Sequence, residues 1–442
     1  MAGACRNRPG QPTGRCVGNG VAESSEIAVV VRAGLGGRGS IWMGIPCARF
    51  GGSVWGGEPG RQVVKVLHVT SGNLFGGIER HLLTLASRDA GKTGLSHEFA
   101  VCFEGQFASM LRDRGVEVRR LSAVRTRWPW TRFWGRRVLG EVLRASRPDV
   151  VMVHSNWALC HFGSMLERGP APLVFWLHDF VSERRWMDRW AGRSRPGLVL
   201  CNSVCSMGRL EEAGWFGTIP KRVLHPASEL SDPEDAWADR RRVRGELGVG
   251  EGARVVVQAG RWARSKGHDR ILEAMAQEPL DGEEWQYWIA GGAGSREERK
   301  WRWSVEALAV TLGLADRVRV LGHREDMGAV MHAADVYVHP CQEAETFGLV
   351  LVEALGAGLK IVASDLGGAK EILGGGYGEL VDPYRARLWR EAIGRAVGGG
   401  KTVEDVERGR AHARALCDPA GVCERLLAIL REHANGGNRL GK

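Results

Sequence analysis

His339-Pro340-Cys341-Gln342-Glu343-Ala344-Glu345-Thr346-Phe347-Gly348-Leu349-Val350-Leu351-Val352-Glu353-Ala354-Leu355-Gly356-Ala357-Gly358 is the stretch from which the rest of the chain is best read. Two carboxylates, Glu345 and Glu353, stand eight positions apart in it. Between them lie a Gly-containing turn, Phe347-Gly348, and an apolar run, Leu349–Val352. Glu345 falls where a loop is predicted, and Glu353 falls roughly two helical turns later at ~1.5 Å per residue. The N–H groups of Phe347, Gly348 and Leu349 would then be open at a helix N-terminus, a place suited to an anion, with the carboxylates accepting from hydroxyls. Spacing alone leaves two readings open: a ligand site, or a strand-to-helix junction with two solvated glutamates.

Outward from this stretch the chain reads as alternating strands and helices. Apolar strand patterns are predicted at Val63–Val69, Phe99–Phe103, Val150–His154, Leu173–Leu177 and Leu198–Cys201. A second series is predicted at Arg254–Gln258, Trp288–Ala290, Val318–Leu321, Val336–His339, Lys360–Ala363 and Glu379–Val381. Such alternation predicts parallel sheets covered on both faces. The fold class is therefore α/β, with two Rossmann-like domains facing a central cleft. Residues 1–62, rich in Gly and Arg without sustained period, read as a disordered N-terminal extension. Residues 63–228 form the first domain, 229–252 a linker with the composition of a connector and a short helix, including the basic run Arg240-Arg241-Arg242-Val243-Arg244, and 253–442 the second domain with C-terminal helices.

Chemistry-bearing residues fall at the ends of these strands. Ser71-Gly72-Asn73-Leu74-Phe75-Gly76-Gly77 follows the first strand and precedes a helix from Ile78, so Gly76 and Gly77 let backbone approach a phosphate. The Gly-x-Gly-x-x-Gly spacing of dinucleotide sites is absent, and a nicotinamide or flavin cofactor is not supported. Gly260-Arg261-Trp262-Ala263-Arg264-Ser265-Lys266-Gly267 follows a strand in the second series. Arg261 and Lys266 there either clamp a diphosphate, by a fork and a point charge, or form a basic surface turn. His154 and His178 end two strands of the first series, and His178 is the better cleft residue because Asp179 or a carbonyl can orient it; a hydrogen-bonded structural histidine is the other reading.

The whole chain of 442 residues is 44% hydrophobic and 25% charged with a net charge of +10, which suits an acidic ligand, an anionic membrane or nucleic acid without choosing among them. Two segments, Arg125–Arg137 and Arg184–Arg195, interleave Arg with Trp. That composition fits a lipid headgroup layer, stacking on nucleic-acid bases, or a solvated basic face with some rings in the core. Ten cysteines show no metal spacing and read as reduced thiols of a cytoplasmic protein. No apolar run reaches the ~20 residues of a spanning helix, and no signal-peptide core is present.

Taken together, these pieces resemble the retaining glycosyltransferases of family 4 type (glycosyl transferases group 1), which have the two-domain GT-B fold. The resemblance covers about Val63 to Val397. It is carried by Gly260-Arg261 with Lys266-Gly267, Gly291-Gly292, Val320-Leu321-Gly322, Ala334 to Pro340, Glu345 through Glu353 as the Glu-x7-Glu motif, Ala363 to Glu371, Phe75 to Glu79, and His178. It implies a hexosyltransferase that moves sugar from a nucleotide-sugar donor with retained configuration, leaving from and attacking on one face, without a protein nucleophile. By the same resemblance Arg261 and Lys266 bind the diphosphate and stabilise the leaving group. Glu345 accepts from sugar hydroxyls, with the Phe347, Gly348 and Leu349 amides at the sugar or phosphate. Glu353 accepts from the ribose, the Gly322–Arg324 turn with Arg324 borders the base, Gly76 and Gly77 close on the diphosphate, and His178 meets the sugar near the reacting carbon. No cofactor or metal is expected; no Asp-x-Asp motif is present, and the Arg/Lys pair supplies the positive charge.

The chain departs from the family pattern at Lys360, where Pro is usual after Gly358-Leu359, and at Trp262, where Leu is common. Neither change removes a group the chemistry needs. The implied setting is cell-surface polysaccharide, lipopolysaccharide or glycolipid synthesis. Its partners would be a sugar or lipid-linked acceptor and an anionic membrane surface at the cytoplasmic face, and no nucleic acid is expected. A nucleotide-sugar epimerase on the same fold and a non-catalytic membrane or nucleic-acid binder are the competing functions.

Overall fold

Strands Val150–Val153, Leu173–Leu177 and Leu198–Cys201 are buried along their whole length, as continuous apolar runs must be when helices cover both faces of a sheet. The structure is a computed structural model, and it describes residues 63–437 apart from 74, 89, 278–283 and 401. The disorder expected for residues 1–62 lies outside the described residues.

The first sheet contains β1 (Val64–Thr70), β2 (Leu95–Val101), β3 (Glu117–Arg120), β4 (Val150–Val153), β5 (Leu173–Leu177), β6 (Leu198–Cys201) and β7 (Lys221–Val223), in the order β3-β2-β1-β4-β5-β6-β7. The second contains β8 (Arg254–Ala259), β9 (Trp285–Ala290), β10 (Val318–Gly322), β11 (Val336–His339), β12 (Lys360–Ser364) and β13 (Glu379–Val381), in the order β10-β9-β8-β11-β12-β13. Every pairing in both sheets is parallel. This is the two-Rossmann-domain architecture. In each sheet the strand order reverses once, between β1 and β4 and between β8 and β11, and such reversals are where open parallel sheets bind ligands. The loops leaving β1, β4, β8 and β11 contain Gly76-Gly77, His154, Arg261 to Lys266, and Glu345.

Two boundaries differ from the sequence reading. The short helix expected within residues 229–252 is Ala236–Glu246, and it is docked on the second domain instead of standing free as a connector. Its Arg244 is 1% exposed, donates through Nη2 to Asp335 Oδ2 at 2.9 Å, and donates through Nε and Nη1 to the carbonyls of Ala333, Gly250 and Ala253. Arg240 takes the other oxygen of Asp335, also at 2.9 Å. A buried guanidinium is tolerated when its donors are filled this way, so the basic run that looked like a connector is an anchor.

The second departure is the last helix, Pro419–Gly437, which leaves the second domain and returns to the first sheet. Its Val422, Cys423, Leu426 and Leu430, spaced for one helical face, are buried with Val66, Val150, Met152, Val174 and Trp176. The seven described cysteines are free thiols, six of them buried. Replacing Leu426 by Ala is expected to cost about 2–5 kcal/mol, read as a lower urea midpoint with loss of structure in the first domain.

Candidate active site

Lys266 is brought to the cleft by a backbone contact. The turn after β8 ends in a single 3-10 turn, Arg264–Lys266, closed by Gly267 at φ +66°. A Cβ on Gly267 would lie 1.9 Å from the carbonyl oxygen of Pro340, so only glycine permits the β8 and β11 loops to touch. The ammonium of Lys266 consequently donates to Glu345 Oε1. His339 Nε2 lies 3.1 Å from the other oxygen of Glu345, and Cys341 Sγ lies 3.3 Å from His339 Nε2 and 3.5 Å from Glu345 Oε1.

These groups set one another's charge. Burial alone would raise the Glu345 carboxyl, but His339 and Lys266 outweigh it and hold the group well below the usual carboxylate range. Burial pulls His339 down, yet Cys341 and Glu345 push it up to about 10. Lys266 is likewise raised, because Glu345 outweighs the burial that lowers it. The result is an ionised carboxylate, acceptor-only, fixed between two cations. His339, Cys341 and Glu345 each offer one ligand atom within 4.8 Å of the others, a donor set of metal-binding type whose carboxylate is already occupied by Lys266.

The loop carrying Glu345 is pinned from three sides. Gly368 N–H donates to the Glu345 carbonyl at 2.9 Å, and a Cβ on Gly367 (φ +57°) would lie 2.3 Å from that oxygen. From the first domain, Thr346 Oγ1 donates to the His178 carbonyl at 2.8 Å, Asn202 Nδ2 donates to Thr346 Oγ1 at 3.0 Å, and Ser203 Oγ donates to the Thr346 carbonyl. Beside it Glu371 accepts from Val204 N–H at 2.8 Å and meets His225 Nε2 at 2.6 Å. The β5 loop with His178 and the Glu345 loop thus meet through Thr346, as adjoining walls of one cleft.

The remaining expected residues divide into those the structure gathers and those it does not. Gly76 caps the helix Gly77–Ala86, its N–H bonded to Glu79 at 2.9 Å, and Gly77 lies against Leu349, 3.6 Å from where its Cβ would be. Helix Leu349–Gly356 begins where predicted. Among the described residues no group accepts from the N–H of Phe347, Gly348 or Leu349, while the Phe347 ring is core, stacked on His225 at 5.1 Å. Glu353 sits apart from Glu345, half-buried, 3.6 Å from Arg80 and 3.3 Å from Ser228 Oγ; burial raises its carboxyl.

Arg261 is 74% exposed with Nη1 3.5 Å from Glu298, and its charge reaches Asp179 across the cleft. Arg324 is turned away. Its guanidinium binds Glu246 at 2.6 Å and Asp326 at 2.8 Å, so contact of that side chain with a bound base would break two ion pairs. The sequence reading missed His339, Cys341, Thr346, Asn202, Ser203 and Arg80 as site residues. His339 and Cys341 lay inside the motif quoted first; the others carry no local pattern.

A hollow of about 580 Å³ opens beside both walls, lined by Phe180, Val181, Arg209, Glu343 and Ala344 among others. The two Arg/Trp segments come together on the surface, where the Arg132 guanidinium lies 5.7 Å over the Trp190 ring. Trp128, Trp130, Phe133, Trp134, Trp186 and Trp190 there are all at least 41% exposed.

Residues 239–410 match the family model described as Glycosyl transferases group 1, and residues 75–223 match Glycosyltransferase Family 4. The D-inositol 3-phosphate glycosyltransferase 1 of Catenulispora acidiphila is 30% identical over 328 residues, covering 68% of this chain and 77% of that protein. The alpha-D-kanosaminyltransferase of Streptomyces kanamyceticus is 25% identical over 252 residues, covering 56% of this chain and 61% of its own length. Among solved structures, Anabaena Alr3699/HepE in complex with UDP and glucose superposes with a TM-score of 0.71 at 24% identity, over 83% of this chain and 99% of that one.

The charge cluster predicts a pH profile. His339, raised above its ordinary value near 6.5, adds stability that is full below that value and lost as pH rises through about 10. Glu345, lowered, adds stability present above its ordinary value and lost as pH falls. Glu345→Gln should let His339 titrate well below 10 by NMR and flatten the alkaline decline of the denaturation midpoint.

Proposed function

The chain belongs to the group 1 glycosyltransferases of family 4, and we propose that it transfers a sugar from a nucleoside-diphosphate donor to an acceptor with retention of configuration and without a metal ion. The observation that carries this reading is the meeting of the Lys266–Glu345–His339 cluster with the open N–H groups of Phe347, Gly348 and Leu349, at the reversal point of one sheet and facing the other.

Such a site supplies what departure of a nucleoside diphosphate requires. Charge accumulates on the β-phosphate as the glycosidic bond breaks, and preorganised cations and amides stabilise it. Lys266 and the helix N-terminus are fixed there, and Arg261 swings in from its exposed position. Glu345, ionised, accepts from the hydroxyls of the transferred sugar and orients it. Glu353, near the first domain's Arg80, takes the ribose. The acceptor enters through the hollow beside Glu343 and Phe180 and attacks on the face the diphosphate leaves, with His178 on the adjoining wall touching the sugar. The relatives' names give D-inositol 3-phosphate for one and a kanosaminyl group for the other, and the acceptor proposed here is a sugar or lipid-linked sugar of cell-surface polymer or glycolipid synthesis.

The joined Arg/Trp patch is proposed to seat the protein on an anionic membrane face, with indole rings at headgroup level and guanidinium groups on phosphates. No helix of the described residues is long and apolar enough to cross a membrane.

Lys266→Ala and Glu345→Ala are each expected to lower kcat by about 10²–10³ while circular dichroism stays unchanged. Nucleoside-diphosphate release from a panel of nucleotide sugars should survive EDTA. Release abolished by EDTA and restored by a divalent cation defeats metal independence; isomerised donor in place of transfer defeats the transferase reading. For the membrane seat, Trp130→Ala with Trp134→Ala should weaken co-sedimentation with phosphatidylglycerol vesicles at low salt, and equal sedimentation of both proteins removes the proposal.

A further inference from the structure

Four buried histidines form a line across the first sheet and end at His178. Their order follows from strand register. Val66 pairs with His97, and His68 stands two residues beyond Val66 on β1. His68 pairs with Met152, and His154 stands two residues beyond it. Val153 pairs with Phe175, so His154 falls level with Trp176, and His178 stands two further on. Steps of two keep every ring on one face of a sheet, and each step climbs toward the C-terminal strand ends and the cleft.

The rings are bonded in series. His97 Nδ1 lies 2.8 Å from His68 Nε2, His68 Nδ1 lies 2.7 Å from His154 Nε2, and His154 Nδ1 lies 3.0 Å from His178 Nε2. Burial lowers all four and keeps them neutral at pH 7. Each neutral imidazole carries one proton, and each of the three bonds needs one. Only two complete arrangements exist: every proton on Nδ1, or every proton on Nε2.

The far end chooses between them. His97 Nε2 is buried without a partner. With protons on Nε2 it would be an N–H lacking an acceptor, the rarer kind of buried orphan; with protons on Nδ1 it is an idle lone pair. The nearby His81 does not enter the line, since its Nδ1 accepts from Ala227 N–H and its ring centre is 5.9 Å from that of His178.

We propose that His97, His68 and His154 are positioning residues that hold the proton of His178 on Nδ1, so that His178 meets substrate as a hydrogen-bond donor only. This rests on the reading of His178 as a wall of the sugar site. A sugar hydroxyl at that point must accept from His178 and give its own hydrogen elsewhere, and Glu345, on the loop that Thr346 joins to His178, is acceptor-only. A donor on one wall and an acceptor on the adjoining one therefore impose a direction on the hydroxyls of the sugar held by both.

The test uses the full chain labelled with 15N-histidine. Long-range proton–nitrogen spectra identify the protonated nitrogen of each neutral ring, and His178→Asn assigns the His178 signals. In the native protein at pH 7 His178 should read as Nδ1–H. His97→Gln, whose amide can either donate to His68 Nε2 or accept from it, removes the preference at the buried end; it should turn His178 into a mixture of tautomers and raise donor KM about twofold, as half-populating the competent tautomer does, with a smaller change in kcat. His68→Gln, placed the same way against His154 Nε2, serves as second variant, with the same mixing expected, should His97→Gln fail to fold. Nδ1–H in the native protein with mixing in a folded variant sustains the proposal. Nε2–H in the native protein, or an unmixed His178 in a folded variant, overturns it. The spectra need no donor, so they decide the proposal even if transferase assays fail.

Discussion

The Pro340–Phe347 loop is held by contacts to its backbone oxygens, and most of the site depends on that. The Pro340 carbonyl lies where a side chain on Gly267 would be, the Glu345 carbonyl takes the Gly368 N–H, and the Thr346 carbonyl takes Ser203 Oγ. Contacts of this kind are insensitive to rotamer choice. They put Glu345 within reach of Lys266 and His339 whatever surrounds the side chains, and the charge pairing then fixes the carboxylate itself. An active group built on a loop gains in this way the precision usually found on regular elements.

The same loop joins the domains. His178 contributes its carbonyl to Thr346 and its ring to the line of histidines, so one residue couples the interdomain contact to the interior of the first sheet. Glu353 lies at the other crossing, bonded to Ser228, whose N–H donates to the Cys417 carbonyl at 3.0 Å. The two passages of the chain between domains are thus tied to each other.

Most of the fold was legible because parallel strands buried on both faces must be apolar throughout. The strands missed were β3 and β7, Glu117–Arg120 and Lys221–Val223. Both are short, charged edge strands, built to resist further pairing, and their pattern is that of a loop. The start of β2 was read late because His97 and Glu98 look polar, although both are buried. Lys266 and Glu345 were legible as candidates, and their contact depends on the close approach at Gly267, which a sequence marks only as one more glycine. The ion pairs of Arg324 were not legible for a related reason: a turn position says nothing about which of several neighbouring carboxylates captures the side chain. The short helix in the linker was legible but its docking was not, because Arg240 and Arg244 look like solvent-facing charge until Asp335 is seen beneath them.

The returning helix also orders events on the ribosome. Strands β1, β4, β5 and β6 emerge early, but the Val66, Met152 and Trp176 face waits for Val422, Leu426 and Leu430. The second domain can complete its own core in the interval, while the first carries an apolar face covered only in part, by Leu85 of the helix Gly77–Ala86 and by Leu224 and Ala227, until Val422 to Leu430 are made. A nascent chain of this kind is exposed to holding chaperones for longest in the half that is made first.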